Sequence, residues 1–132
     1  MAIDNTDPAR FAALPASDRK LIAWLAAIAL FALLLGVLGW LLTALARGGY
    51  IDIAADTGYR FMTVHGVSIF FYWLFTAQAA LLLGFAATEN AGGLVARGLA
   101  WAGFALLLAG FGASIAGSLI GTGGLSQSAL SQ

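Results

Sequence analysis

Long uncharged stretches, separated by short charged segments, dominate the chain. Twenty-six residues without a charge lie between Lys20 and Arg47, and 28 lie between Arg60 and Glu89. After Arg97 no charged residue follows up to position 132. About 20 apolar residues in a helix cross the hydrocarbon core of a bilayer, and a helix satisfies its own backbone there. The pattern predicts an all-α membrane protein with three transmembrane helices, over about 21–46, 61–87 and 99–121.

The segments outside these helices indicate a direction of insertion. Residues 1–20 are mixed and are predicted to form a cytoplasmic leader, while residues 122–132 are predicted to form a polar tail. Lys and Arg accumulate on the cytoplasmic side of membrane proteins. In this chain, four Lys and Arg residues lie in the N-terminal segment and the second loop, which share one side, and two lie in the first loop. We therefore expect a cytoplasmic N-terminus and an external C-terminus.

Composition excludes several classes of protein. Hydrophobic residues make up 61% of the chain and charged residues 9%, against about 25% charged residues in soluble domains. The formal net charge is zero, so a basic nucleic-acid binder is excluded. The sequence has no cysteine and one histidine. The lack of cysteine excludes disulfides and thiolate metal sites. The single histidine excludes a metal site made of several histidines from one copy of this chain.

Small residues form two candidate packing surfaces. In lipid, helices associate where small residues let their backbones approach closely. One surface, on the first predicted helix, contains Gly36 and Gly39. The other surface is formed by small residues at every fourth position of the third predicted helix. It consists of Ala109, Ala113, Gly117 and Gly121, and is called the small-residue stripe below. Three helices cannot bury all of this surface on each other, so we expect the chain to belong to a larger helical bundle.

The predicted spans contain no Asp, Glu, Lys or Arg, and His65 is their one histidine. On a regular helix Ser68, Tyr72 and Thr76 share its face, which gives the second helix a polar seam. Such a histidine can bridge two helices by a hydrogen bond. An ionisable group in a bilayer also indicates a functional site, and neutral imidazole is a common axial ligand of haem iron. These two interpretations remain open from the residues alone.

The sequence around this histidine resembles a known family. Residues 59–67 read YRFMTVHGV and continue as SIFFYWLF. This segment resembles the second transmembrane helix of the catalytic subunit of haem–copper oxidases, which is subunit I of cytochrome oxidases. The resemblance implies that His65 is an axial iron ligand of a low-spin haem, of a or b type, and that Gly66 allows close approach of the porphyrin. The cofactor-binding residues expected on this basis are Met62, His65, Gly66, Ser68, Ile69 and Tyr72.

The departures from that family define the expected partners. Its catalytic subunits have several times as many spans, and this chain lacks a second axial histidine and the copper-ligating histidines. The resemblance therefore implies the N-terminal part of a split oxidase subunit that passes electrons toward the oxygen-reducing centre. It would lie in the inner (plasma) membrane of a prokaryote. A larger transmembrane subunit would supply the second haem ligand and would hold the copper, and further oxidase subunits and lipid would surround the pair. The alternatives are a homodimeric membrane cytochrome b, with a haem between two copies of His65, and a haem-free accessory or assembly subunit.

Overall fold

The computed structural model describes residues 8–90 and 92–120, and three long helices account for most of them. A short helix, Pro8–Ala13, precedes the first long helix, Ala16–Arg47. The second long helix, Ala55–Glu89, and the third, Arg97–Ile120, follow. All three are long and apolar enough to cross a membrane. The prediction of a multi-pass helical membrane protein is confirmed.

The long helices extend beyond the predicted spans. The first helix begins at Ala16, five residues before the expected start, and at 1.5 Å per residue its 32 residues measure about 48 Å. The hydrocarbon core is about 30 Å thick, so this helix is longer than the core is thick. The end of the third predicted span at position 121 and the predicted polar tail lie outside the described residues.

The second helix changes its winding near its middle. It is α-helical over Ala55–Gly66, π-helical over Val67–Trp73 and again α-helical over Leu74–Glu89. The Leu74 N–H bonds Ile69 O, five residues back, whereas an α-helix would direct it to the residue four back. A π-helical turn takes up an extra residue and is frequently found at functional sites.

The second helix packs against the first on one side and the third on the other. On the inner side, the predicted cytoplasmic one, an apolar cluster joins the first helix to the end of the second and the following loop. Its buried members are Leu14, Leu21, Ile22, Leu25, Ala80, Ala87 and Leu94. On the outer side, Arg60 Nη1 donates a hydrogen bond to Leu119 O at 2.8 Å and Nη2 lies 3.4 Å from Asp56. This arginine caps the end of the third helix.

The two candidate packing surfaces differ in the structure. Gly36 and Gly39 are buried between the first and second helices, as expected. Within the described residues, the small-residue stripe has no such contact. Ala109 and Ala113 are exposed, and a Cβ added at Gly117 would meet no atom within 4 Å. The neighbouring face of the third helix packs against the second helix: a Cβ added at Gly110 would lie 3.4 Å from the Tyr72 hydroxyl.

Candidate functional site

His65 lies half-buried on the second helix, near its outer end, and contacts the first helix. Its Nδ1 atom is 2.9 Å from the main-chain oxygen of Gly36. A carbonyl oxygen only accepts hydrogen bonds, so Nδ1 carries the proton and donates. In the neutral ring the other nitrogen, Nε2, then keeps its lone pair. Metal-ligating histidines commonly have this arrangement. The hydrogen bond from the nitrogen that does not bind the metal fixes the tautomer and the orientation of the ring.

Two glycines of the first helix make this contact possible. A Cβ at Gly39 would lie 2.8 Å from Phe61 O and 3.3 Å from the main-chain nitrogen of His65. A Cβ at Gly36 would lie 2.6 Å from Ile69 Cγ1 and 3.3 Å from Ser68 Cβ. Real Cβ atoms essentially never lie within 3.0 Å of another atom, so the first helix approaches Phe61 O and the Ile69 side chain this closely because both of its residues lack a side chain.

The expected polar seam is divided between two neighbouring helices. Ser68 is fully buried, and it and Ile69 lie against Gly36 of the first helix. Tyr72, one turn further along, faces the third helix. Its hydroxyl is 3.0 Å from Ser114 Oγ. The Tyr72 ring also packs on Phe111, with 4.5 Å between ring centroids. The seam drawn on a regular helix therefore does not form one continuous strip in the structure.

Two other predicted site residues lie beside open space. Met62 is 39% exposed and lines a cavity of about 250 Å³ between the outer ends of the first and second helices, together with Thr43, Arg47 and Tyr59. A Cβ added at Gly66 would meet nothing within 4 Å. The backbone at Gly66 therefore has open space where a side chain would otherwise lie.

A structural or catalytic metal ion such as zinc is held by three or four protein side chains. Among residues 8–90 and 92–120, no three His, Cys, Asp or Glu side chains come together as a metal site. His65 can therefore contribute one ligand to a metal that is held from another side by a different group. This arrangement suits an axial position on haem iron, where the porphyrin supplies the equatorial nitrogens.

Sequence reasoning missed an ion pair on the inner side. Asp18 falls within the predicted cytoplasmic leader, yet its side chain is fully buried. Its carboxylate accepts hydrogen bonds from Arg97 Nε, from Arg97 Nη2 at 3.0 Å and from the Leu94 N–H at 2.9 Å. Gly93, with φ of +81°, lies directly against the same carboxylate, so a Cβ there would overlap Oδ2. One feature of the sequence was consistent with this ion pair. With three spans, the N-terminal segment that contains Asp18 and the second loop, which contains Arg97, lie on the same side of the membrane.

Comparison with protein-family models, with curated proteins and with solved structures gives no match for this chain.

Proposed function

We propose that this chain is the N-terminal part of a split haem–copper oxidase catalytic subunit, in which His65 is one axial ligand of a low-spin haem. One observation supports this most directly. The Gly36 carbonyl accepts a hydrogen bond from the Nδ1–H group, which leaves Nε2 of a membrane-embedded histidine available as a ligand. The similarity of residues 59–67 to the second helix of that family supports the same assignment.

The residues present fit such a group. Imidazole nitrogen is a suitable donor for haem iron, and His65 is held by a main-chain oxygen that lies on another helix. When bound, the haem would supply one-electron transfer. The chain itself holds the histidine ring in one tautomer and one orientation. Its apolar helices keep water from the surroundings of the ligand.

The chain requires a partner for this function. These 132 residues contain one histidine, so the proposal assigns a second axial histidine and the copper ligands to another chain. A larger transmembrane subunit could supply both, and the small-residue stripe, exposed at Ala109 and Ala113, is available for its helices. In this proposal the N-terminus is cytoplasmic and the C-terminus is external, in the plasma membrane of a prokaryote.

A second candidate function is supported by the same hydrogen bond. His65 joins the first helix to the second, which is what a purely structural histidine in a membrane protein would do. In that case the chain is a haem-free accessory subunit. Haem content therefore distinguishes the two functions, and haem stoichiometry distinguishes both from a homodimeric cytochrome.

The experiment is an optical spectrum of the complex that co-purifies with the tagged chain. The split-oxidase proposal requires a low-spin haem and a larger chain. It also requires that His65→Ala removes the low-spin signal, and that His65→Met, which offers a different ligand, shifts it. Thr63→Ala, two residues away, is the control, since Thr63 is exposed and bonds only to Tyr59 O of its own helix. A normal low-spin spectrum in His65→Ala would refute the haem assignment. One haem per two identical chains would establish the homodimeric cytochrome, and a complex without haem would establish the accessory role.

A further inference from the structure

The cavity between the outer ends of the first and second helices is large enough for a ligand. Its volume is about 250 Å³, whereas a single bound water molecule needs only about 10–15 Å³. His65 is not part of the cavity wall, although Met62, one turn before it, is. A molecule in this cavity therefore does not have to contact the candidate haem ligand.

The wall of the cavity crosses the expected boundary of the membrane. Arg47 and Tyr59 lie just outside the predicted spans, while Thr43 and Met62 lie within them. Thr43 precedes Arg47 by four residues, which is about 6 Å along a helix axis. Its hydroxyl already donates to Gly39 O. The cavity therefore suits an amphiphile, with a polar part at the level of Arg47 and an apolar part at the level of Met62.

Arg47 gives the cavity a positive charge. It is exposed, and its guanidinium forms no hydrogen bond or ion pair with any described residue. Asp52 and Asp56 do not line the cavity, and Asp56 lies against Arg60. A guanidinium group binds phosphate through two parallel hydrogen bonds. Ala55, where the second helix begins without a side-chain cap, also lines the cavity, so main-chain N–H groups are further donors to an anion.

We propose that this cavity binds the headgroup of an anionic phospholipid. Basic pockets between transmembrane helices recognise such headgroups. The phosphodiester lies at Arg47, and the beginning of an acyl chain lies against Met62. Among the described residues that line the cavity there is no Asp or Glu, so the ammonium group of a zwitterionic lipid has no carboxylate to bind. The proposal does not depend on whether His65 binds haem.

The test is native mass spectrometry of the tagged chain, with any subunit that accompanies it, from micelles that contain equal amounts of phosphatidylglycerol and phosphatidylcholine. We expect one phosphatidylglycerol to remain on each copy of the chain, in preference to phosphatidylcholine. Arg47→Gln should weaken this binding roughly tenfold, because a charge-assisted hydrogen bond is lost. Arg10→Gln is the control, since it removes an exposed arginine on the inner side and should leave the binding unchanged. Equal retention of the two lipids, or wild-type binding in Arg47→Gln, would overturn the proposal.

A second variant fills the cavity and leaves its charge unchanged. A Cβ added at Gly58 would meet only Ile53 Cδ1, at 3.9 Å, so Gly58→Leu places a larger side chain there without a backbone clash. We expect this variant to lose the bound phosphatidylglycerol. Gly84→Leu is the matched control on the same helix, because a Cβ at Gly84 would meet nothing within 4 Å. If Gly58→Leu retains the lipid as the wild type does, the lipid binds elsewhere and the proposal is wrong.

A soluble competitor distinguishes a lipid from a free phosphate compound. Glycerol 3-phosphate carries a phosphate and no acyl chain, so it lacks the part that would contact Met62. We expect millimolar glycerol 3-phosphate to leave phosphatidylglycerol bound. Displacement of the lipid by this compound would show that the cavity binds a soluble phosphate, and the assignment to a phospholipid would be refuted.

Discussion

The contact between the first two helices gives a quantitative prediction at Gly39. In Gly39→Ala the new methyl carbon would lie 2.8 Å from Phe61 O, which is a backbone atom and cannot rotate away. Overpacking of this kind costs about 1–3 kcal/mol, whereas Ala in place of Gly gains about 1 kcal/mol of helix propensity. The net effect is a loss of roughly 0–2 kcal/mol. Gly36→Ala should cost less, because the closest atom there is the side-chain Cγ1 of Ile69, at 2.6 Å.

The assay is reversible unfolding in mixed micelles, followed by the helical signal in circular dichroism. Gly112→Ala is the control, because an added Cβ there meets nothing within 4 Å, and it should gain stability from helix propensity. The expected order of stability is Gly112→Ala, then Gly36→Ala, then Gly39→Ala. The packing explanation is wrong if Gly39→Ala is as stable as Gly112→Ala.

Four further predictions concern other parts of the molecule. A reporter at the C-terminus should be active outside the cytoplasm and one at the N-terminus inside it; the reverse pattern would refute the orientation. Asp18→Asn should lower the free energy of unfolding by about 1–3 kcal/mol, since the buried carboxylate loses its charge-assisted bonds; an unchanged value would show that this ion pair contributes nothing. Tyr72→Phe should cost about 1 kcal/mol, because it removes the bond to Ser114 and keeps the ring; native-like stability would show that the bond is not formed. Gly117→Leu should reduce co-purification of a partner and leave the folding of this chain unchanged, because nothing in the described residues fills that position; loss of the chain itself would show that the stripe packs internally.

The three spans could be predicted because hydrophobicity over 20 or more residues is a strong signal in the sequence. The packing role of Gly36 and Gly39 was also predictable, since small residues in a membrane helix have few other uses. The position of His65 against the first helix agrees with its expected contact with protein.

The π-helical segment could not be predicted from its residues. Val67–Trp73 contains neither Gly nor Pro, and its apolar and aromatic side chains suit an α-helix in lipid equally well. The π-helical segment also explains why the polar seam is divided between two helices, since an extra residue in one turn changes the direction of every side chain that follows. The burial of Asp18 was equally hidden, because the residue pairs with Arg97, 79 positions later in the chain. A long-range ion pair leaves no local pattern.

The ion pair between Asp18 and Arg97 also has a consequence for the timing of assembly. During synthesis at about 5–20 residues per second, Arg97 is added roughly 4–16 s after Asp18, from which it is 79 positions away. Throughout this interval the aspartate at the start of the first helix lacks the Arg97 guanidinium that binds it in the folded protein. The first two helices can already associate through Gly36 and Gly39, because both are complete before Arg97 is made. The ion pair at the inner end therefore forms only after the first two helices are complete, and newly made chains pass through a state in which these helices can pack together without it.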